Sequence, residues 1–237
     1  MWAMSSVSRP APAEKGRTRV PQRRADSEAT RQRILDVAER LFADAGFHAT
    51  SIRDIAHHAE CQFALIGYHF GAKEALLDQV LARRSDVLNR ERLAHLEALR
   101  AAHGAAPLAL RDLVGGFVGT IMARGDSGDE GWRNYTRLIA VVAASAEWKD
   151  LAEKHFNAVA RQYIAELQRS LPQVSSEDLH RAFFFMVGAM LAVCARTDRI
   201  ETLSDGRFDS RSIAPMTETL CAFLEGGFAA VASRPAR

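Results

Sequence analysis

From Ser27 onward, apolar positions recur at helical spacing. Ile34, Leu35, Ala38, Leu41, Phe42 and Ala45 fall on one face of a helix. Gly46 supplies its C-terminal stop. In the stretch TSIRDIAHHA, Thr50 or Ser51 is placed to cap a second helix. Asp54, three residues after Ser51, completes a capping-box pattern. Ile52, Ile55, Ala56 and Ala59 form the apolar stripe of about two turns. After a break at Glu-Cys-Gln (60–62), a third short helix is predicted over 62–70. There Ile66 and Phe70 point inward, while Phe63 and Gly67 share another face with Ala64 and Tyr68 alongside. Beyond Gly71 the pattern is helical almost throughout. A long amphipathic run from Lys73 ends near Gly104, and a helix beginning at Pro107 reaches about Arg124. After a polar loop (125–131), helices are predicted over roughly 132–145 and 147–171, the second ended by Pro172. Ser175 with Asp178 opens a helix to about Arg196, and a polar stretch (197–210) leads to a last helix from about Arg211 to Val231. No segment alternates at strand period and no repeat is present, so the predicted class is all-α.

Composition narrows this picture. The chain has 237 residues, 48% of them apolar, enough for a substantial core. Cys61, Cys194 and Cys221 lie far apart and read as small buried hydrophobes in a reducing compartment, not as a disulfide frame or zinc site. The first sixteen residues contain no apolar core of signal-peptide length. The longest apolar run, AFFFMVGAMLAVCA (182–195), is short for a bilayer and fits a buried helix. The expectation is a soluble cytoplasmic protein with no membrane partner. The net charge of +2 is unevenly placed. Residues 1–24 carry six Arg or Lys against one acid, whereas residues 25–73 hold seven acids against five bases. Residues 1–25, rich in Pro, Ser, Arg and Ala without periodicity, are expected to be disordered. That basic tail is either a solvated leader or a contact for nucleic acid.

A long helix, a short helix, a tight break and a second short helix stand in helix-turn-helix order. The run RILDVAERLFADAGFHATSIRDIAHHAECQFALIGYHFGAKEALLDQVL resembles the N-terminal domain of the TetR family of bacterial transcriptional regulators. The pieces that carry the resemblance are ILDVAERLFADAGF, TSIRDIA, YHF and GAKEAL. It implies a helix-turn-helix DNA-binding domain over 26–72 and a larger helical domain over 73–233 that binds an effector and dimerises. It also implies a palindromic double-stranded DNA operator, a small apolar or amphipathic effector, and more often repression than activation. The chain departs from the family pattern in two places. The turn, normally a glycine followed by a branched apolar and a small polar residue, reads Glu60, Cys61, Gln62. The recognition helix has Gly67 where an aromatic is usual. This variant, with VLNRERL (87–93), resembles a branch in which some members respond to fatty-acid-like ligands.

The residues expected at the DNA are Thr50, Ser51, Arg53, Gln62, Phe63, Ala64, Gly67, Tyr68, His69 and Lys73. Arg53 either reaches a phosphate or groove edge or pairs with Asp54. Gln62 either caps the recognition helix or reads an adenine. Tyr68 is placed to give its hydroxyl to a phosphate, and Lys73 to meet one near the start of the long helix. His69 either approaches DNA or packs against the first helix. Gly67 costs roughly 1 kcal/mol of helix stability relative to alanine. It is expected either to make room for Phe63 to contact a thymine methyl or to reflect a position with weak demands.

For the effector, Phe117, Ile121, Met122, Trp132, Tyr135 and Phe156 are available linings, with Ile139 and Leu138. Arg133, Arg137 or Arg161 is placed to meet an anionic head group. Leu179, Phe183, Met186, Val187, Met190 and Val193 on one helix, and Ile213, Met216, Leu220, Phe223, Leu224 and Phe228 on the last, match the order of the family's dimer-forming pair. These stripes imply a homodimer or serve the internal core. Nothing in the sequence calls for a cofactor or metal. There is no Gly-rich phosphate loop, G-x-S-x-G or HExxH, and the adjacent His57 and His58 point apart on a helix. The alternative to a regulator is a helical ligand-binding or adaptor protein that has lost DNA binding.

Overall fold

A computed structural model describes residues 19–234, and these contain helices and no strands. Four helices open the chain: α1 (Arg19–Ala45), α2 (Ile52–His58), α3 (Phe63–Phe70) and α4 (Lys73–His103). Next, α5 (Leu110–Val114), a π-helical turn (Gly115–Gly119) and α6 (Thr120–Gly125) run on without a break. Then comes α7 (Glu130–Ala144). A 3-10 turn (Ala146–Trp148), α8 (Lys149–Ala152), a second π turn (Glu153–Asn157) and α9 (Ala158–Ser170) form another continuous stretch. The chain closes with α10 (Ser176–Ala195), α11 (Arg199–Leu203) and α12 (Ile213–Ala232).

The helix ends follow local chemistry. Ser51 caps α2 in a complete capping box with Asp54. Ser175 accepts from the Asp178 amide at the start of α10. Gly46, at φ +83°, ends α1. Two elements depart from the sequence expectation. The first helix begins at Arg19, so residues 19–25, expected to be disordered, are helical. The segment carries Arg19, Arg23 and Arg24 with Gln22 and Ala25, and Pro21 falls in the first turn, where a missing N–H costs no helical bond. The rest of the expected tail, 1–18, lies outside the described residues. Second, α11 stands inside the expected polar stretch. The Glu201 carboxylate accepts from the Ser210 amide at 2.7 Å and its hydroxyl at 2.9 Å, folding the following loop back onto the helix.

The core is built around α4. Leu76, Leu77, Val80, Leu81, Leu88 and Leu96 are fully buried on it. The helix touches α1, α3, α6, α7, α9 and both π turns. Among the described residues α10 alone has the length and hydropathy to cross a membrane. Its Leu179, Phe183, Met186, Met190 and Cys194 are buried, and the helix packs against α7, α9 and α12. Burial pushes the Cys194 thiol up to about 12.

One charged cluster joins the first helices to the rest. Glu39 of α1, 1% exposed, takes Arg83 Nη2 at 2.7 Å and Arg84 Nη2 at 3.1 Å. Arg83 also binds Asp36. Burial raises the Glu39 carboxyl above the ordinary carboxylate value, and Arg84 and Arg83 oppose that rise. Glu39→Gln should lower the free energy of unfolding by roughly 1–3 kcal/mol, read from urea denaturation at neutral pH. An unchanged midpoint would mean that apolar packing alone holds α1 on α4.

Candidate functional site

The outer face of α3 is the most distinctive surface of the first four helices. Ile66 and Phe70 are buried beneath it, as the spacing requires. Gln62, Phe63, Ala64, Gly67 and Tyr68 are exposed, Phe63 by 59% and Tyr68 by 81%. Two large aromatic side chains therefore stand in solvent on one short helix. Gln62 is the N-cap residue, but its side chain makes no capping bond and is left free. A Cβ added at Gly67 would meet nothing within 4 Å, so no protein packing demands glycine there. His69 is half-buried, its ring 5.1 Å from Tyr68 and 5.9 Å from Phe70.

The turn before α3 explains the departure at Glu60. The Cys61 amide donates to Ala56 O at 3.0 Å and the Glu60 amide to His57 O at 3.2 Å. This is a Schellman pair, whose central residue must be left-handed. Glu60 adopts φ +47°, the conformation that glycine takes at little cost. Arg33 Nε, from α1, closes the same helix end by donating to Ala59 O at 2.7 Å.

Not every residue expected at the DNA faces outward. Ser51 and Arg53 are exposed. Arg53 makes no hydrogen bond or ion pair among the described residues, because Asp54 is engaged by Ser51 instead. That engagement holds the Asp54 carboxyl below its ordinary range. Thr50 is 3% exposed, and its hydroxyl donates to Gly46 O at 2.8 Å. It is a loop brace rather than a groove contact. Lys73 is also turned inward. Its Nζ donates to Phe47 O at 2.8 Å and Thr50 O at 2.9 Å, and lies 4.1 Å from the Phe47 ring centroid. Those carbonyls belong to the bend between α1 and α2, which has no helical donors of its own to offer. The N-terminal part of α1 lies beside α3, with Asp26, Ser27 and Thr30 across a shallow cleft from Leu65, Tyr68 and His69.

The second site is a cavity of about 390 Å³ among α4, α7, α9, α10 and both π turns. Of the expected linings, Phe117 and Phe156 are in its wall, one on each π turn, with Ile139 and Arg161. Such turns displace side chains from ordinary helical register and are frequent at functional sites. The other expected linings lie elsewhere. Ile121 and Met122 border a separate crevice of about 10 Å³. The Trp132 ring is covered by Arg84 and Arg124, each 5.0 Å from its centroid. Tyr135 is fully buried outside the wall, its hydroxyl without a partner. Arg137 Nη1 binds Asp44 at 2.9 Å, joining α7 to α1. Arg92, absent from the expectation, is in the wall and 3% exposed. One signal was readable: Arg92 is in phase with Leu81, Ser85, Leu88 and Leu96, a charge on the buried stripe of α4.

A capped short helix, a tight turn and a second short helix with an aromatic outer face, followed by a helical body with a cavity, define a helix-turn-helix protein with a larger helical domain. Two family models match. Residues 34–80 match "Bacterial regulatory proteins, tetR family", and residues 116–227 match "Tetracyclin repressor-like, C-terminal domain". The chain belongs to the TetR family of transcriptional regulators.

Over 51 residues it is 41% identical to the HTH-type transcriptional repressor KstR2 of Rhodococcus jostii, 22% of this chain and 25% of that one. Over 65 residues it is 45% identical to the HTH-type transcriptional repressor Rv3405c of Mycobacterium tuberculosis, 27% of this chain and 34% of that one. The matches thus span about a quarter to a third of these curated relatives. Among solved structures it is similar to the fatty acid degradation regulator FadR from Bacillus halodurans. That TM-score is 0.53 at 16% identity, covering 84% of this chain and 95% of that one. It is also similar to SCO4454, a TetR-family regulator from Streptomyces coelicolor, with a TM-score of 0.51 at 21% identity, covering 87% and 97%. At these identities the likeness concerns the fold.

Because Glu60 occupies a left-handed position, Glu60→Gly should raise stability by about 0.5–1 kcal/mol, measured by thermal or urea melts. A loss of stability would show that the Glu60 side chain contributes more than its backbone strain removes.

Proposed function

We propose that the chain is a DNA-binding transcriptional repressor that leaves a palindromic operator when a small amphipathic effector enters the cavity. The observation that carries the reading is the outer face of α3. Its exposed Phe63 and Tyr68 flank a glycine with no packing role, and it sits behind a fully capped α2. Exposed aromatics on a short helix suit apolar contact with thymine methyls and a hydroxyl bond to phosphate. The names of the N-terminal relatives, both repressors, agree with it.

Residues 26–72 form the DNA-binding part in this reading and 73–233 the effector-binding and dimerising part. A homodimer is favoured by the outer faces of α10 and α12. Phe184 and Phe223 are 71% and 72% exposed there, beside Gly188, Gly226 and Gly227, which admit close helix approach. A two-fold dimer sets two recognition helices about one DNA turn apart.

Coupling has a physical route through residues 146–157. Ala152, Phe156 and Asn157 border the cavity. On the same segment, Lys154 Nζ and His155 Nε2 hold Asp78 of α4 at 2.6 and 2.7 Å. Trp148 packs on Phe47 at 4.8 Å, and Glu147 meets His48 at 2.9 Å. Phe47 and His48 lie in the bend before α2. An effector that favours a different placement of this segment shifts α4 and the bend together. It lowers DNA affinity by its differential binding to the two states.

Free cations are scarce on this face. Arg31, Arg33 and Lys73 are engaged within the protein, leaving Arg53 on the exposed side of α2 and Arg40 on α1 near His58. The basic residues of 1–24 are then the main source of phosphate neutralisation, and Asp26, Ser27 and Thr30, which follow them on α1, lie across from α3. Rounds of selection from random duplexes should enrich a palindrome with half-sites about one turn apart. Absence of any enriched sequence would favour a ligand-binding protein without a DNA role. With the operator in hand, deleting residues 1–24 should reduce the slope of log K against log salt by roughly 0.9 for each phosphate that is no longer neutralised; an unchanged slope would make that segment a leader only. Phe63→Ala should alter the selected base preference, and identical preferences would exclude a base contact by Phe63.

A further inference from the structure

The guanidinium of Arg92 is buried without an acid. No aspartate or glutamate among the described residues pairs with it, and the groups acting on its charge are Tyr135, Tyr163 and Cys194. Its Nε donates to Phe117 O at 2.9 Å, inside the first π turn. Nη2 has only the Met190 sulfur at 3.6 Å, and Nη1 has no hydrogen-bond partner. The group lies 3.8 Å from the Phe117 ring centroid, which holds its plane by a cation–π contact. Burial lowers its pKa to about 10, so it remains charged at neutral pH. Among the described residues, the other buried charges are paired. Glu39 has two arginines, and Glu166 has Arg100 at 2.8 Å and Arg169 at 2.9 Å. Arg92 is different, and it is the one that lines the cavity.

An unpaired buried cation is costly unless an anion completes it. The remainder of the wall is largely apolar, with Ile139, Phe156, Ile164, Phe183, Val187 and Leu191. The exposed basic groups on the wall, Arg161 and His180, have partners: Arg161 meets Glu153 at 3.3 Å and His180 bonds Ser176 O at 2.7 Å. One buried cation with two terminal nitrogens to spare suits a planar, singly charged acceptor. A dianionic phosphate would need more positive charge than the buried part of the wall holds.

We propose that the cavity binds a monocarboxylate with an apolar body, its carboxylate seated on the terminal nitrogens of Arg92 and its body along the apolar wall. The inference rests on reading this cavity as the effector site. It assigns to that site the ligand's charge and the residue that selects it. Neutral ligands of the same shape leave Arg92 unpaired, and cationic ones oppose it.

The test uses the full chain, without DNA, and three probes below their micelle-forming concentrations: decanoate, decanol and decylamine. Isothermal titration at neutral pH should give decanoate an affinity about tenfold to a hundredfold above decanol, with decylamine no better than decanol. Arg92→Met should bring decanoate down to the decanol value, and Arg92→Lys should keep part of the preference. Arg92→Met should also raise the Tm of the free protein, because an unpaired buried charge is removed. A residue held only for structure would lower it. The preference of the wild-type chain is measured whether or not either variant folds. Equal affinities for decanoate and decanol, no decanoate binding, or a carboxylate preference that survives in Arg92→Met would each overturn the proposal. Because binding is read without DNA, Arg92-dependent decanoate binding by a chain that selects no operator would leave this inference standing and remove the regulator reading. An operator with no carboxylate preference would do the reverse.

Discussion

The Glu39 carboxylate, buried between Arg83 and Arg84, is the constraint on which the arrangement depends. A carboxylate taken out of water needs cations at hydrogen-bond distance, and only α4 supplies them. Meeting that need ties α1 to α4, as Arg137 on Asp44 ties it to α7. With α1 and α4 set, α2 and α3 have one place to bury Ile55, Ala56, Ile66 and Phe70. The same α4 carries Asp78, which ties it to the second π turn, and Arg92, which reaches the cavity. A single helix of 31 residues therefore links the face of α3 to the chamber behind it.

The chain uses its charges unevenly. Arginines and lysines near the first three helices mostly brace the protein: Arg33 on the end of α2, Lys73 on the bend before it, Arg137 on Asp44. Each satisfies a carbonyl or carboxylate that the turns leave exposed to neighbours and not to helix donors. The consequence is an outer α3 face that is aromatic rather than basic. On the proposed reading, its affinity for a polyanion depends on Arg53, Arg40 and the basic residues of 1–24. At Arg92, further along α4, the opposite holds. A buried cation is kept there without an acidic partner, beside the cavity.

The π turns serve that space. The first brings the Phe117 carbonyl and ring to Arg92, and the second sets Phe156 and Asn157 on the wall while His155 reaches Asp78. A regular helix would repeat its side chains at fixed angles and could not serve the wall and α4 within one turn so readily. Local widening lets one short segment face two ways.

The sequence by itself determined the class, the helix order, the capping box at Ser51 and Asp54, and the sides of α3. Those features depend on residues within about four positions of one another, where period and capping chemistry are enough. It also carried the resemblance that placed the family. Left-handed Glu60 was visible as an oddity at a glycine position, without its reason. Only the tertiary structure decided which polar side chains face inward. Thr50 and Lys73 brace a bend, Arg137 reaches Asp44 across 93 residues, and Trp132 lies under two arginines instead of in the cavity. These outcomes turn on distances between groups far apart in the chain, which no periodicity encodes. Arg92 stands between the two cases. Its position on an apolar stripe was legible, but the missing carboxylate that gives it meaning became visible only when every neighbouring helix was in place.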